Sequence, residues 1–293
     1  MTLIAQFNNA GTRLNLLRKK PLFLSINHRP NANWCNRTRP LAAGAPFVHL
    51  VPGDIAAMVV GNAVAAPNNA VIEQNNINIH LNITEAKIAF YGNSPVYELH
   101  AYQANPGGAI GCQYLSWEDS CIVSMDLSNV GPPLFMSGPF NGCHFYVTRN
   151  TVTNQIRVHH ANANMVGLAG APNHGRPDLA EHYLDALMQA ALGPNENIIH
   201  QMRKGQYLAK IWNVGANAKI ESGVTLAYRN RKEGQNRSNV VLHETMCLVF
   251  GVRTAPNTWD FFFNVAGMVD YKRPGLLPNR AGYLKAIIPW QQI

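Results

Sequence analysis

The chain has 293 residues, 47% of them hydrophobic, and a formal net charge of +8, so it can bury a substantial core and is biased toward acidic encounter partners. Charged residues make up only 14%, below the roughly 25% usual in soluble domains. Disorder is excluded, and the polar surface rests on Asn, Gln, Ser and Thr, as suits a secreted or injected protein. Basic residues gather at Arg18-Lys19-Lys20, Arg229 to Lys232 and Lys272-Arg273 without aromatic interleaving. No nucleic-acid-binding module is recognisable, and nucleic acid is not an expected partner.

The opening MTLIAQFNNAGTRLNLLRKKPLFLSI places apolar residues before the basic ones and leads to no small-residue cleavage site, so no cleavable signal peptide is read there. Residues 1–50, rich in Asn, Arg and Pro, are expected to be a loosely packed leader or targeting segment, with 51–293 a single α+β domain carrying any catalytic site. No apolar run approaches the roughly 18 residues of a membrane span.

Strand patterns follow. INIHLNI (77–83) alternates Ile77, Ile79, Leu81 and Ile83 with polar partners, the period of a half-buried strand. KIAFYG, VYELHAYQ, CIVSMDL, PLFM, CHFYVTR, IRVHHAN, VTLAYRN, VVLHETMCLVFGVRT and WDFFFNVAGMVDY read likewise. Between them, Pro177 at a first turn, Asp178 and Glu181 near the positive dipole end and Gly193-Pro194 at the stop predict a helix over 177–192. NENIIHQMRK (195–204) predicts a second, shorter helix. Helices inserted between strand sets imply an α+β fold, a strand-rich core of mixed sheets with a few flanking helices.

The five cysteines, Cys35, Cys112, Cys121, Cys143 and Cys247, are odd in number and form no C-x-x-C pair, which argues against a disulfide framework and a zinc ribbon. Cys143 stands out in MSGPFNGCHFYVTRNTVTNQIRVHHANAN (136–164). A turn-rich loop delivers it, after Gly142, to the start of a strand, where backbone N–H groups can converge on the space in front of the sulfur. Cys143, Phe145 and Val147 share one strand face, and Ile156, Val158 and His160 share one face of the next. If both apolar rows face one core, His160 joins Cys143 and His159 points away; a one-residue slip or bulge exchanges them. A neutral imidazole beside a thiol can take its proton and activate the nucleophile. The other ring nitrogen needs an orienting partner, for which Ser137, Asn162 and a backbone carbonyl are candidates.

Cys112 also follows a glycine but has no histidine one hairpin downstream, and Cys121 and Cys247 sit inside apolar strands as core thiols. Adjacent histidines on a strand point to opposite faces. The pair can therefore lend one imidazole to a metal, and no H-E-x-x-H motif completes a site. No metal and no cofactor is expected.

The run FNGC (140–143), the strand HFYV, a polar turn and the strand IRVHHAN resemble the glutamine deamidases of the cytotoxic necrotizing factor type. The bacterial lethal-factor deamidase and the chemoreceptor deamidases look like relatives of the same arrangement. The usual motif there is Leu-Ser-Gly-Cys with a histidine a dozen or more residues downstream. This chain has Phe140-Asn141 in place of Leu-Ser, and its histidines follow Cys143 by 16 and 17 positions. The resemblance covers residues 134–165 and implies a β-sandwich-like core whose surface loops choose the target protein. It implies a cysteine hydrolase or transferase that deamidates or transglutaminates a glutamine of a target host protein, as a secreted or injected effector in the host cytoplasm. The competing expectation is a non-enzymatic, sheet-rich binding or assembly protein in which Cys143 is a buried structural thiol.

Overall fold

A computed structural model describes residues 1–20, 22–24, 37–40, 70–74, 76, 78–87, 95–117, 121–140, 143–162, 184–185, 188–189, 191–203, 206, 211–214, 218–221, 240–271 and 280–292. Two short helices, α1 (Leu3–Asn8) and α2 (Ala10–Leu17), precede the strands. In chain order the strands are β1 (Leu22–Leu24), β2 (Arg37–Pro40), β3 (Ala70–Gln74), β4 (Asn78–Lys87), β5 (Pro95–Tyr102), β6 (Ile110–Leu115), β7 (Cys121–Asp126) and β8 (Leu134–Phe140). They continue with β9 (His144–Asn150), β10 (Ile156–Ala161), β11 (Glu196–Met202), β12 (Ile211–Val214), β13 (Ala218–Glu221), β14 (Val240–Ala255), β15 (Thr258–Tyr271) and β16 (Arg280–Gln292).

One sheet has the order β1-β5-β4-β6-β8-β14-β15-β16, the second β11-β9-β10-β7-β3-β2, and β12-β13 form a separate ribbon. Both large sheets are mixed: β1–β5, β6–β8 and β3–β7 run parallel, the other pairs antiparallel. The chain is an α+β protein with a sheet-dominated core.

Side-chain alternation decides what lies between the layers. Phe135, Cys247, Val249, Phe261 and Phe263 of the first sheet meet Val123, Met125, Phe145, Val147, Ile156 and Val158 of the second in one buried cluster. The reverse face of the first sheet supplies Ile79, Leu81, Ile83, Leu99, Tyr114, Met136 and Phe250 to a second cluster, which Phe7, Leu16 and Leu17 of the helices help to form.

The start of the chain therefore departs from the loosely packed leader expected over residues 1–50. Thr2 Oγ1 accepts from the Ala5 N–H to cap α1, and Asn9 Oδ1 accepts from the Gly11 N–H to cap α2. Buried Arg13 donates Nε–H to the Phe7 carbonyl and Nη2–H to the Asn8 carbonyl, binding the two helices together. Phe7, Leu16, Leu17, Leu22 and Leu24 are all buried, each worth about 1.5–3 kcal/mol of burial free energy. Residues 41–69, the rest of that segment and the start of the expected domain, lie outside the described residues.

The expected second helix is also replaced. Glu196 to Met202 form β11, antiparallel to β9. Its spacing of Ile198, Ile199 and Met202 satisfies a helical period locally. Pairing with β9 overrides that preference, and a register shift between Ile198 and His200 hides the two-residue alternation. Within the predicted helix 177–192, Leu184, Asp185, Met188, Gln189 and Ala191 are helical and Leu192 is not; the other residues of that span lie outside the described ones. The strand expected at VTLAYRN lies outside the described residues.

Candidate active site

The β9–β10 hairpin closes through Asn150 to Gln155, with Asn154 at φ 58°, a left-handed position that asparagine tolerates. Asn150 Oδ1 accepts from the N–H groups of Val152 and Thr153. The resulting register sets His160 opposite Phe145 and His159 opposite Tyr146. On its other side β10 pairs with β7, His160 opposite Val123, so both histidines sit in the interior of the sheet.

Cys143 precedes β9 and packs in the cluster between the sheets, 6% exposed. By strand alternation it shares a face with Phe145, and His160 lies on that face. The His160 ring stacks on Phe140, centroids 3.9 Å apart and planes within 16°. Ser137 Oγ lies 3.4 Å from His160 Nδ1, while Nε2 has no hydrogen-bond partner among the described residues. His160 is 1% exposed, and burial pushes its pKa down to about 3. The imidazole is therefore neutral near pH 7, with one nitrogen engaged and one available.

His159 faces the other way. Its Nδ1 is 2.7 Å from Ser124 Oγ, and its Nε2 is 2.8 Å from Thr148 Oγ1 and 3.2 Å from Glu196 Oε1. Thr148 also donates to Glu196, and the Gly193 N–H donates to Glu196 Oε2. Burial lowers the His159 pKa, partly offset by Glu196. The Glu196 carboxyl, pushed up by its own burial, is brought net down to about 2 by His159, Thr148 and Gly193. The slipped register that would bring His159 to Cys143 is not the one formed.

Of the other orienting candidates, Asn162 follows Ala161, the partner of His144, at the end of the hairpin away from its turn. Gly142 lies outside the described residues. Cys112 and Cys247 are fully buried, and burial raises both thiols well above the ordinary range.

Two features of the site went unread in the sequence. Next to Cys143, His144 Nδ1 is 2.9 Å from Tyr146 Oη, which donates to Asp185 Oδ1 at 2.7 Å. Asp185 Oδ2 in turn pairs with Arg203 at 2.7 Å. This network ties the outer face of β9 to the helical segment holding Asp185, and no local pattern announces residues 39 positions apart. The second is Phe140 as the stacking partner of His160. Gly138-Pro139 inside an apolar strand was the available signal, because that pair marks a bulge.

Among the described residues no group of three or more His, Cys, Asp or Glu side chains could hold a metal ion, and no helix is long and apolar enough to cross a membrane. No protein-family model matches the chain, and no curated protein matches it.

Proposed function

We propose that the chain is a cysteine hydrolase acting on the side-chain carboxamide of glutamine in a target protein, with Cys143 as nucleophile and His160 as base. One observation carries the reading. Ser137 engages Nδ1 of a neutral imidazole and leaves Nε2 without a partner among the described residues, on the sheet face that Cys143 shares.

The chemistry follows from those groups. As Cys143 Sγ bonds to the carboxamide carbon, its proton passes to His160 Nε2. The tetrahedral intermediate collapses, His160 returns the proton to the departing nitrogen, and ammonia leaves a γ-glutamyl thioester. Water attacks the thioester with His160 again as base, giving glutamate and the regenerated thiol; an amine in place of water gives an isopeptide bond. Burial keeps the resting imidazole neutral and avoids an ion pair in an apolar cluster, but it also weakens His160 as a base, so the proton transfer draws on substrate binding to stabilise the thiolate–imidazolium pair. The reading as an effector delivered to a host cytoplasm rests on the resemblance of residues 134–165 to deamidases and on the low charged fraction.

Burial favours a second reading. With Cys143 at 6% exposure and His160 at 1%, both could be core residues of a sheet-rich binding protein. Incubation with host-cell proteins separates the two. The enzyme releases ammonia and adds about one dalton per modified glutamine, and Cys143→Ser abolishes both. Equal results from parent and variant would end the hydrolase reading.

A further inference from the structure

Strand β8 does something that a regular strand cannot. Ser137 and Phe140 are three residues apart, an odd separation that puts side chains on opposite faces, yet both touch His160. The pairing with β14 explains how. Val249 opposes Ser137 and Cys247 opposes Phe140, so three steps along β8 match two along β14. The extra residue is a β-bulge over Gly138-Pro139, and it returns Phe140 to the face that Ser137 occupies.

The bulge requires this sequence. Gly138 has φ +136°, and a Cβ there would meet Leu248 Cδ2 at 2.8 Å. Pro139 contributes no N–H to the interrupted ladder. The Gly138 carbonyl is received on the reverse face of the sheet by the hydroxyl of Tyr114 in β6, at 2.9 Å. Tyr114 is 1% exposed and belongs to the cluster beyond the first sheet, and its hydroxyl is joined to the site through the β8 backbone.

We infer that Tyr114 and the Gly138 bulge are positioning elements of the Cys143–His160 centre: by holding the bulge they set Ser137 on His160 Nδ1 and Phe140 under its ring, which presents Nε2 as the base. The inference rests on the Cys143–His160 reading. It makes Tyr114 a positioning residue and assigns the proton to Nδ1, where Ser137 Oγ accepts it, because a base at Nε2 must be bare.

Nitrogen-15 NMR of the histidine rings tests this. The parent should show His160 as a single neutral tautomer with the proton on Nδ1. Tyr114→Phe should reduce the dominance of that tautomer about tenfold, the effect of losing one hydrogen bond of ordinary net strength, and slow Cys143 alkylation by a similar factor. Tyr97→Phe, which changes another buried tyrosine of the same cluster, should leave the His160 signals as in the parent. Ser137→Ala keeps the backbone bulge and should scramble the tautomer as Tyr114→Phe does, so a Tyr114 variant that failed to fold would leave the test intact. A His160 tautomer unchanged in Ser137→Ala or in folded Tyr114→Phe, or shifted equally by Tyr97→Phe, overturns the inference. A tautomer that responds as described, in a protein whose ammonia release survives Cys143→Ser, keeps the positioning and removes the hydrolase reading instead.

Discussion

Replacing His160 with phenylalanine should remove a pH dependence of folding that the parent carries. Burial lowers His160 from 6.5 to about 3, so between those values the unfolded chain binds a proton that the folded protein does not. Stability from this group is fully present above pH 6.5 and is lost as the pH falls toward 3. At about pH 4.5 the unfolded imidazole is protonated by two units and the folded one is not, a loss of about 3 kcal/mol relative to pH 8. Phenylalanine keeps an aromatic ring on Phe140 and has no proton to gain. Glu196 and His159 titrate in both proteins, so the difference between them isolates His160. Urea unfolding at about pH 8, 6 and 4.5, followed by tryptophan fluorescence, should show parent and variant diverging by about 3 kcal/mol at the lowest pH. Parallel profiles would mean that His160 is solvated, and the site geometry would be wrong.

Three further substitutions probe the surroundings. Gly138→Ala meets both a positive φ and Leu248 at 2.8 Å, and should lower the urea-derived stability by about 2–5 kcal/mol; a loss under 1 kcal/mol would refute the bulge. Glu196→Gln should cost about 1–3 kcal/mol at neutral pH by weakening the bonds from Thr148, His159 and Gly193. Because the Glu196 carboxyl lies at about 2 against an ordinary 4.5, its contribution is fully present above pH 4.5 and disappears as the pH falls toward 2. Acid titration of the variant should lack that component. Phe7→Ala should destabilise by about 3–5 kcal/mol in thermal or urea melts if α1 belongs to the core; no effect would restore the loose leader.

How far the sequence carried depended on the range of each interaction. Alternation in INIHLNI and in the β9–β10 hairpin is local, and it was enough to predict that Cys143 and His160 share a face if the apolar rows do. Ser137 could be named but not chosen, because its contact with His160 depends on a bulge whose geometry is set by β14 and Tyr114. The leader reading gave weight to Asn and Arg around Phe7 and Leu16-Leu17, although the caps Thr2 and Asn9 were visible helix signals. Residues 196–202 fitted two periods, and only the non-local pairing with β9 decided between them. The Tyr146–Asp185–Arg203 network was illegible for the same reason.

The central claim is that His160 activates Cys143, and site-resolved alkylation of the native protein by iodoacetamide tests it most directly. Peptide mass mapping near pH 7 should find Cys143 labelled at least about tenfold faster than Cys112 and Cys247, and slowed about tenfold or more by His160→Phe, the smaller end of what a positioned base contributes. Equal, slow labelling of all three thiols, or a Cys143 rate indifferent to His160→Phe, would contradict the account.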